Sequence, residues 1–188
     1  YYVAPQAWVW KPWRAKAIEK AVHTLFTIIP FEKEWFKERG VSRVYGVNHP
    51  LYLTYKTDLE KGLPERPHIN LKTEINLLLL PGSRNFEVTN MLPEFIKTVR
   101  DLKKNNNITV HLVKTPNVNE HLYTPYEKWV DKIYTDTELP DALRKADLCI
   151  AASGTVTLAC ALFEVPTVVC YKTSILNSYI FYTFINYK

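Results

Sequence analysis

From residue 74 onward the chain alternates apolar runs of strand length with runs of helix length, and this alternation constrains its fold most. The pattern predicts strand 74–80, helix about 86–104, strand 107–113, helix about 119–130 and strand 132–135. It continues with helix 138–145, strand 147–151, helix 154–163, strand 166–171 and helix 174–187. Strands spaced by helices cannot pair as tight hairpins. They predict an α/β fold with a doubly wound parallel sheet and right-handed crossovers. Leu77-Leu78-Leu79-Leu80 is the clearest strand. It has no polar alternation, so both of its faces should be buried.

Pro81-Gly82-Ser83-Arg84 breaks that strand and leads into the next helix. An apolar strand, a tight polar turn and a helix N-terminus together can hold an anion, because backbone N–H groups and the helix dipole converge there. An arginine adds a planar fork suited to phosphate. A plain βα turn with a surface arginine is the other reading. A second loop of this kind is Ala151-Ala152-Ser153-Gly154-Thr155. Its small residues let a ligand approach the backbone, and either hydroxyl could instead cap the helix. In doubly wound sheets ligands bind beyond the carboxyl ends of the strands. Neither loop carries GxGxxG or GxxxxGK[ST], which argues against hydride transfer and ATP hydrolysis. A nucleotide held by its diphosphate, with charge developing on a departing diphosphate, fits better.

Before residue 54 the signals are shorter. Trp8-Val9-Trp10-Lys11-Pro12-Trp13-Arg14 reads as a loop, followed by a basic helix from about Pro12. Leu25–Ile29 reads as a strand. Pro30-Phe31-Glu32 opens an amphipathic helix that Gly40 ends, Val41–Val47 is a further strand, and Asn48-His49-Pro50 is a turn. Residues 54–73 are polar, contain Pro64 and Pro67, and read as a linker.

Net charge is +5, but no run of five basic residues occurs, so nucleic acid is not an expected partner. The five histidines show no ligand spacing, so no metal site and no cofactor are expected. Cys149, Cys160 and Cys170 lack a CxxC and read as small buried hydrophobes in a reducing compartment. No apolar stretch is long enough to span a bilayer. Aromatic residues bunch at both ends, with basic residues among them, which suits a bilayer interface; ordinary packing is the alternative. The tail from Ser174 to Phe184 is a candidate interfacial helix, or else packs on a further domain. A start at Tyr1 rather than Met suggests a piece of a longer protein.

Several segments, in order, resemble the lipid-A-disaccharide synthase family of glycosyltransferases. These are Tyr2-Val3-Ala4-Pro5-Gln6-Ala7-Trp8-Val9-Trp10, Pro30-Phe31-Glu32, Leu80-Pro81-Gly82-Ser83-Arg84 with Glu87-Val88, Ser153-Gly154-Thr155 with Leu158, and Tyr171-Lys172. The resemblance implies a GT-B architecture of two Rossmann-like domains. Residues 1–53 would end the amino-terminal acceptor-side domain, 54–73 would link, and 74–188 would form the UDP-sugar-binding domain with a terminal aromatic helix. It implies transfer of a sugar from UDP-2,3-diacylglucosamine to 2,3-diacylglucosamine 1-phosphate, giving a β-1,6 disaccharide and UDP without a metal. The partners implied are the UDP-sugar donor, the acylated glucosamine 1-phosphate acceptor and a membrane surface. The implied location is peripheral, on the inner face of the bacterial inner membrane.

Carried over residue by residue, Gly82, Ser83, Arg84, Ser153, Gly154 and Thr155 would meet UDP, with Glu87, Lys172 and His49 in support. Glu87 would orient Arg84 or a substrate hydroxyl, or serve only as a first-turn glutamate favoured by the helix dipole. The catalytic base is expected upstream of Tyr1, so this chain alone is expected to be inactive. Ala159 stands where the family usually has a ribose-binding glutamate, and Asn48 where it has glycine. Another UDP-sugar enzyme of the same architecture, epimerase or transferase, and an inactive nucleotide-binding fragment are the alternatives.

Overall fold

The computed structural model describes residues 1–65 and 74–172, and these gather into two compact units that divide between Thr54 and Tyr55. The expected helix 174–187 and the last part of the expected linker lie outside the described residues.

The first unit begins with the helical turn α1 (Ala7–Trp10), where a loop was expected, and continues with helix α2 (Arg14–Ala21) and strand β1 (Leu25–Thr27). Helix α3 (Glu32–Glu38) and strand β2 (Val44–Gly46) follow. The two strands are parallel, with Leu25 opposite Val44. Both are shorter than expected. Val41, for instance, is buried but donates its N–H to Phe36 O rather than to a strand. The core gathers Ala4, Ala7, Ala15, Leu25, Phe36 and Val44, with Ile18 and Trp35 against it. Gly40 closes α3 at φ +84°, a backbone conformation that glycine adopts without a Cβ penalty. Glu32 is buried and accepts Trp8 Nε1–H at 3.0 Å and Ile29 N–H at 3.3 Å, which ties α1 to the start of α3.

Helix α4 (Pro50–Glu60) makes residues 54–60 of the expected linker segment helical. Pro50 has the fixed φ suited to a first helical position, and His49 Nδ1 accepts the Leu51 N–H at 3.1 Å. The helix buries none of its residues fully. Its half-buried Leu51, Tyr55 and Leu59 share the helix with exposed Tyr52 and Leu53, which blurs the apolar periodicity.

The second unit, from Tyr55, holds five parallel strands: β3 (Ile75–Leu80), β4 (Ile108–Lys114), β5 (Lys132–Thr135), β6 (Leu148–Ala152) and β7 (Thr167–Cys170). Their spatial order is β5-β4-β3-β6-β7. Helix α5 (Asn85–Leu102) packs on one face, where Val88, Leu92, Phe95 and Val99 meet Leu77 and Leu79. Helix α6 (Leu139–Lys145) packs against β3, β4 and β5, and α7 (Thr155–Leu162) against β6 and β7. All four leucines of β3 are buried, each contributing about 1.5–3 kcal/mol by leaving water. This is the Rossmann-like parallel sheet that the alternation predicts.

One expected helix, 119–130, is instead two 3₁₀ segments, Glu120–Leu122 and Thr124–Trp129. Pro125 has no N–H to give to the residue 121 carbonyl, so the α ladder cannot form there. Tyr123 N and Tyr126 N bond three residues back instead, to Glu120 O and Tyr123 O.

Candidate functional site

The strand order fixes where a ligand can sit. From β3 the chain steps outward to β4 and β5, then returns to β6 on the other side of β3. The connections after β3 and β6 therefore leave from adjacent strands and run in opposite directions, which makes this the switch point. Leu80 lies opposite Ala151 in the register. The two loops singled out from the sequence thus start side by side, about 4.8 Å apart at the strands.

In the first loop Gly82 has φ +120°. A Cβ there would lie 2.5 Å from Glu87 Cβ and Oε2, so only glycine fits. Arg84 is the N-cap residue of α5, in extended conformation with no side-chain cap of its own. Glu87, in the first turn, reaches back to the loop itself. Its Oε2 accepts Ser83 N–H at 2.7 Å, and its Oε1 accepts Arg84 Nη1–H at 2.6 Å. Burial pushes the Glu87 carboxyl up, but the bonds from Ser83 and Arg84 outweigh it and hold the group below its usual range. The Arg84 side chain is 78% exposed, so its fork still faces solvent.

The second loop is tied to the sheet through Ser153 N–H, which donates to Cys170 O at 2.8 Å. Gly154 is the N-cap of α7, which has no side-chain cap. The sequence reading had Ser153 or Thr155 as a capping hydroxyl. Instead Thr157 closes the turn, with its Oγ1 and N–H both donating to Gly154 O at 2.7 and 3.1 Å. Ser153, Gly154 and Thr155 are exposed. Two helix N-termini, an arginine and two hydroxyls thus converge at the carboxyl edge of the sheet, an arrangement suited to a polyanion.

The supporting residues have partners of their own in the fold. Lys172 donates to Glu94 Oε1 at 2.7 Å, well along α5 from the loop. That bond and the lysine charge lower the Glu94 carboxyl. His49 lies in the first unit, where it caps α4.

Sequence reasoning missed two contributors. Asn85 Oδ1 accepts Asn119 N–H at 2.9 Å, which binds the loop after β4 to the start of α5. Lys114, the last residue of β4, is held by Glu120 and Glu127 at 2.5 Å each. Burial pulls its ammonium down, but the two carboxylates outweigh this and raise it. The available signal was position, since both residues sit at the carboxyl edge beside the first loop.

The family model for lipid-A-disaccharide synthetase matches residues 1–188. The chain belongs to that family. Among curated members, the lipid-A-disaccharide synthase of Francisella philomiragia subsp. philomiragia is 32% identical over 187 residues, covering 96% of this chain and 49% of the relative. That of Francisella tularensis subsp. tularensis is 34% identical over 188 residues, again 96% and 49%. The chain therefore spans about half the length of the curated relatives it matches. In this member of the lipid-A-disaccharide synthetase family, the segments Leu80–Arg84 and Ser153–Thr155 form the two switch-point loops. Among the described residues, no helix is long and apolar enough to cross a membrane.

Proposed function

We propose that this chain is the donor-binding part of a lipid A glycosyltransferase that holds UDP-2,3-diacylglucosamine by its diphosphate. The carrying observation is the pairing of loops 82–84 and 153–155 on adjacent strands at the switch point, in a chain of this family. The sugar passes to 2,3-diacylglucosamine 1-phosphate, a β-1,6 bond forms, and UDP departs. Negative charge grows on the diphosphate as the glycosidic bond breaks. The N–H groups at the starts of α5 and α7 and the Arg84 guanidinium stabilise that charge, which lowers the barrier. Ser153 and Thr155 offer hydroxyl donors from the other side. No residue of this chain is assigned as the catalytic base.

A peripheral membrane location is part of the same proposal. Its support is that the first unit exposes Tyr1, Tyr2, Trp13, Phe31 and Tyr45. Aromatic rings of this kind suit the headgroup region.

The test is Arg84→Ala in the intact protein carrying this chain, assayed with acylated and with unacylated UDP-N-acetylglucosamine. The expected loss in kcat/KM is about 10²–10³-fold, the scale of removing one preorganised charge-stabilising donor. An unchanged rate would remove Arg84 from the mechanism. Equal turnover of the unacylated donor would favour a different UDP-sugar enzyme.

A further inference from the structure

The donors that would greet a phosphate at the start of α5 are already engaged. Ser83 N–H points at Glu87 Oε2, 2.7 Å away, and the Arg84 guanidinium at Glu87 Oε1, 2.6 Å away. The carboxylate lies so close to the loop that a single methyl on Gly82 would reach within 2.5 Å of its oxygen. Two oxygens of a singly charged, planar group therefore occupy positions that two oxygens of a diphosphate would take. Two anions cannot share these donors, because each would lose the hydrogen bonds and gain the repulsion of the other.

We propose that the Glu87 carboxylate is a built-in competitor for this site, filling it in the free protein and swinging out when a diphosphate binds. The inference rests on the diphosphate reading of the loop. The occupied state keeps the Ser83 N–H and the Arg84 guanidinium bonded in the absence of ligand. It also sets a charge filter. A ligand with one weak negative charge gains little over the resident carboxylate, whereas a diphosphate brings more charge and a second set of contacts at Ser153–Thr155. Glu87, whose side chain is 24% exposed, is held at the cradle by two hydrogen bonds, one of them an ion pair to a solvent-facing arginine, and a side-chain rotation can release it. Once it has left, its carboxyl loses Ser83 and Arg84, the two partners that hold it acidic.

The test compares wild type with Glu87→Gln in the intact protein, using UDP as the probe in calorimetry. Glutamine keeps the shape of the glutamate and an acceptor oxygen, and removes its charge. The expected result is UDP binding about tenfold tighter or better in E87Q, the scale of one charge-assisted hydrogen bond no longer contested. A carbon-13 NMR titration of Glu87 in the wild type gives a second readout that does not depend on the variant's folding. Saturating UDP should raise the Glu87 pKa toward that of an ordinary glutamate. Equal or weaker binding in E87Q, or a Glu87 pKa unmoved by bound UDP, would overturn the proposal and make Glu87 a group that positions Arg84 for the ligand. If neither folded protein binds UDP at millimolar concentration, the diphosphate reading fails and takes the competitor with it.

Discussion

Replacing His111 with leucine should stabilise the second unit, and should do so more in acid than in mild base. His111 sits in the middle of β4, 6% exposed, between Leu78 and Lys132 in the register. Neither ring nitrogen has a hydrogen-bond partner among the described residues, and the same is true of the hydroxyl of Tyr134, against which the ring stacks at 5.6 Å and 17°. The charges around it are Lys132, Asp131, Lys145 and Asp147. A buried polar group left unpaired costs about 1–3 kcal/mol. Leucine relieves that cost at similar volume and gives up a stack worth about 0.5–1.5 kcal/mol. The net gain at about pH 8 is on the order of 1 kcal/mol.

Acid adds a second effect at this position. Burial first, and Lys132 second, hold the imidazole below its usual value in the fold. The unfolded chain takes up a proton near pH 6.5 more readily than the folded chain does. Because the unfolded state binds more protons, stability falls as pH drops through that value. Leucine is exempt from that loss. Urea unfolding followed by circular dichroism at about pH 8 and about pH 5.5 measures both parts. Carboxylates titrate alike in the two proteins, so the difference between them isolates His111. A leucine variant that is less stable at both values, or a gap that does not widen in acid, would refute the reasoning.

Gly82→Ala should cost about 1–3 kcal/mol, because its φ of +120° suits glycine alone and the new methyl strikes Glu87. A thermal melt checks it, and a midpoint within about 1 °C of wild type contradicts it. Arg144→Met should loosen residues 55–62 selectively. The arginine donates to Asp58 O and to Gly62 O, the latter at 2.6 Å, and lies over Phe163, whose ring also meets Tyr55 edge-on. Hydrogen exchange should rise there by about 1–3 kcal/mol in opening free energy while β3 and β4 stay protected; unchanged exchange at residues 55–62 would speak against the clamp.

What could be read in advance depended on how each feature is encoded. The sheet was legible because β3 and β6 are apolar runs, and burial on both faces leaves a mark in local sequence. The two loops were legible because a strand ending in glycine and a hydroxyl before a helix is also local. The Arg144 clamp was not, since its acceptors are backbone carbonyls more than eighty positions away. The helix at Pro50–Glu60 hid because it buries none of its residues fully. Lys172 was carried over from the resemblance, and its tertiary partner, Glu94, left no local mark in the sequence. Glu87 lay between these cases. The resemblance offered Arg84 as one of its partners, while its hold on Ser83 N–H required the turn geometry that Gly82 supplies.

The adjacency of β3 and β6 also matters for how the molecule is made. During synthesis β3 emerges first and can pair with β4 and then β5, but its other edge stays open until Leu148–Ala152 has left the ribosome. That edge is Leu77–Leu80, a flat, uncharged template for stray strand pairing. The same delayed closure that completes the ligand site ends this exposure. Chains stalled or cut between β5 and β6 should therefore aggregate, and a soluble truncation of this kind would show that some other element shields β3.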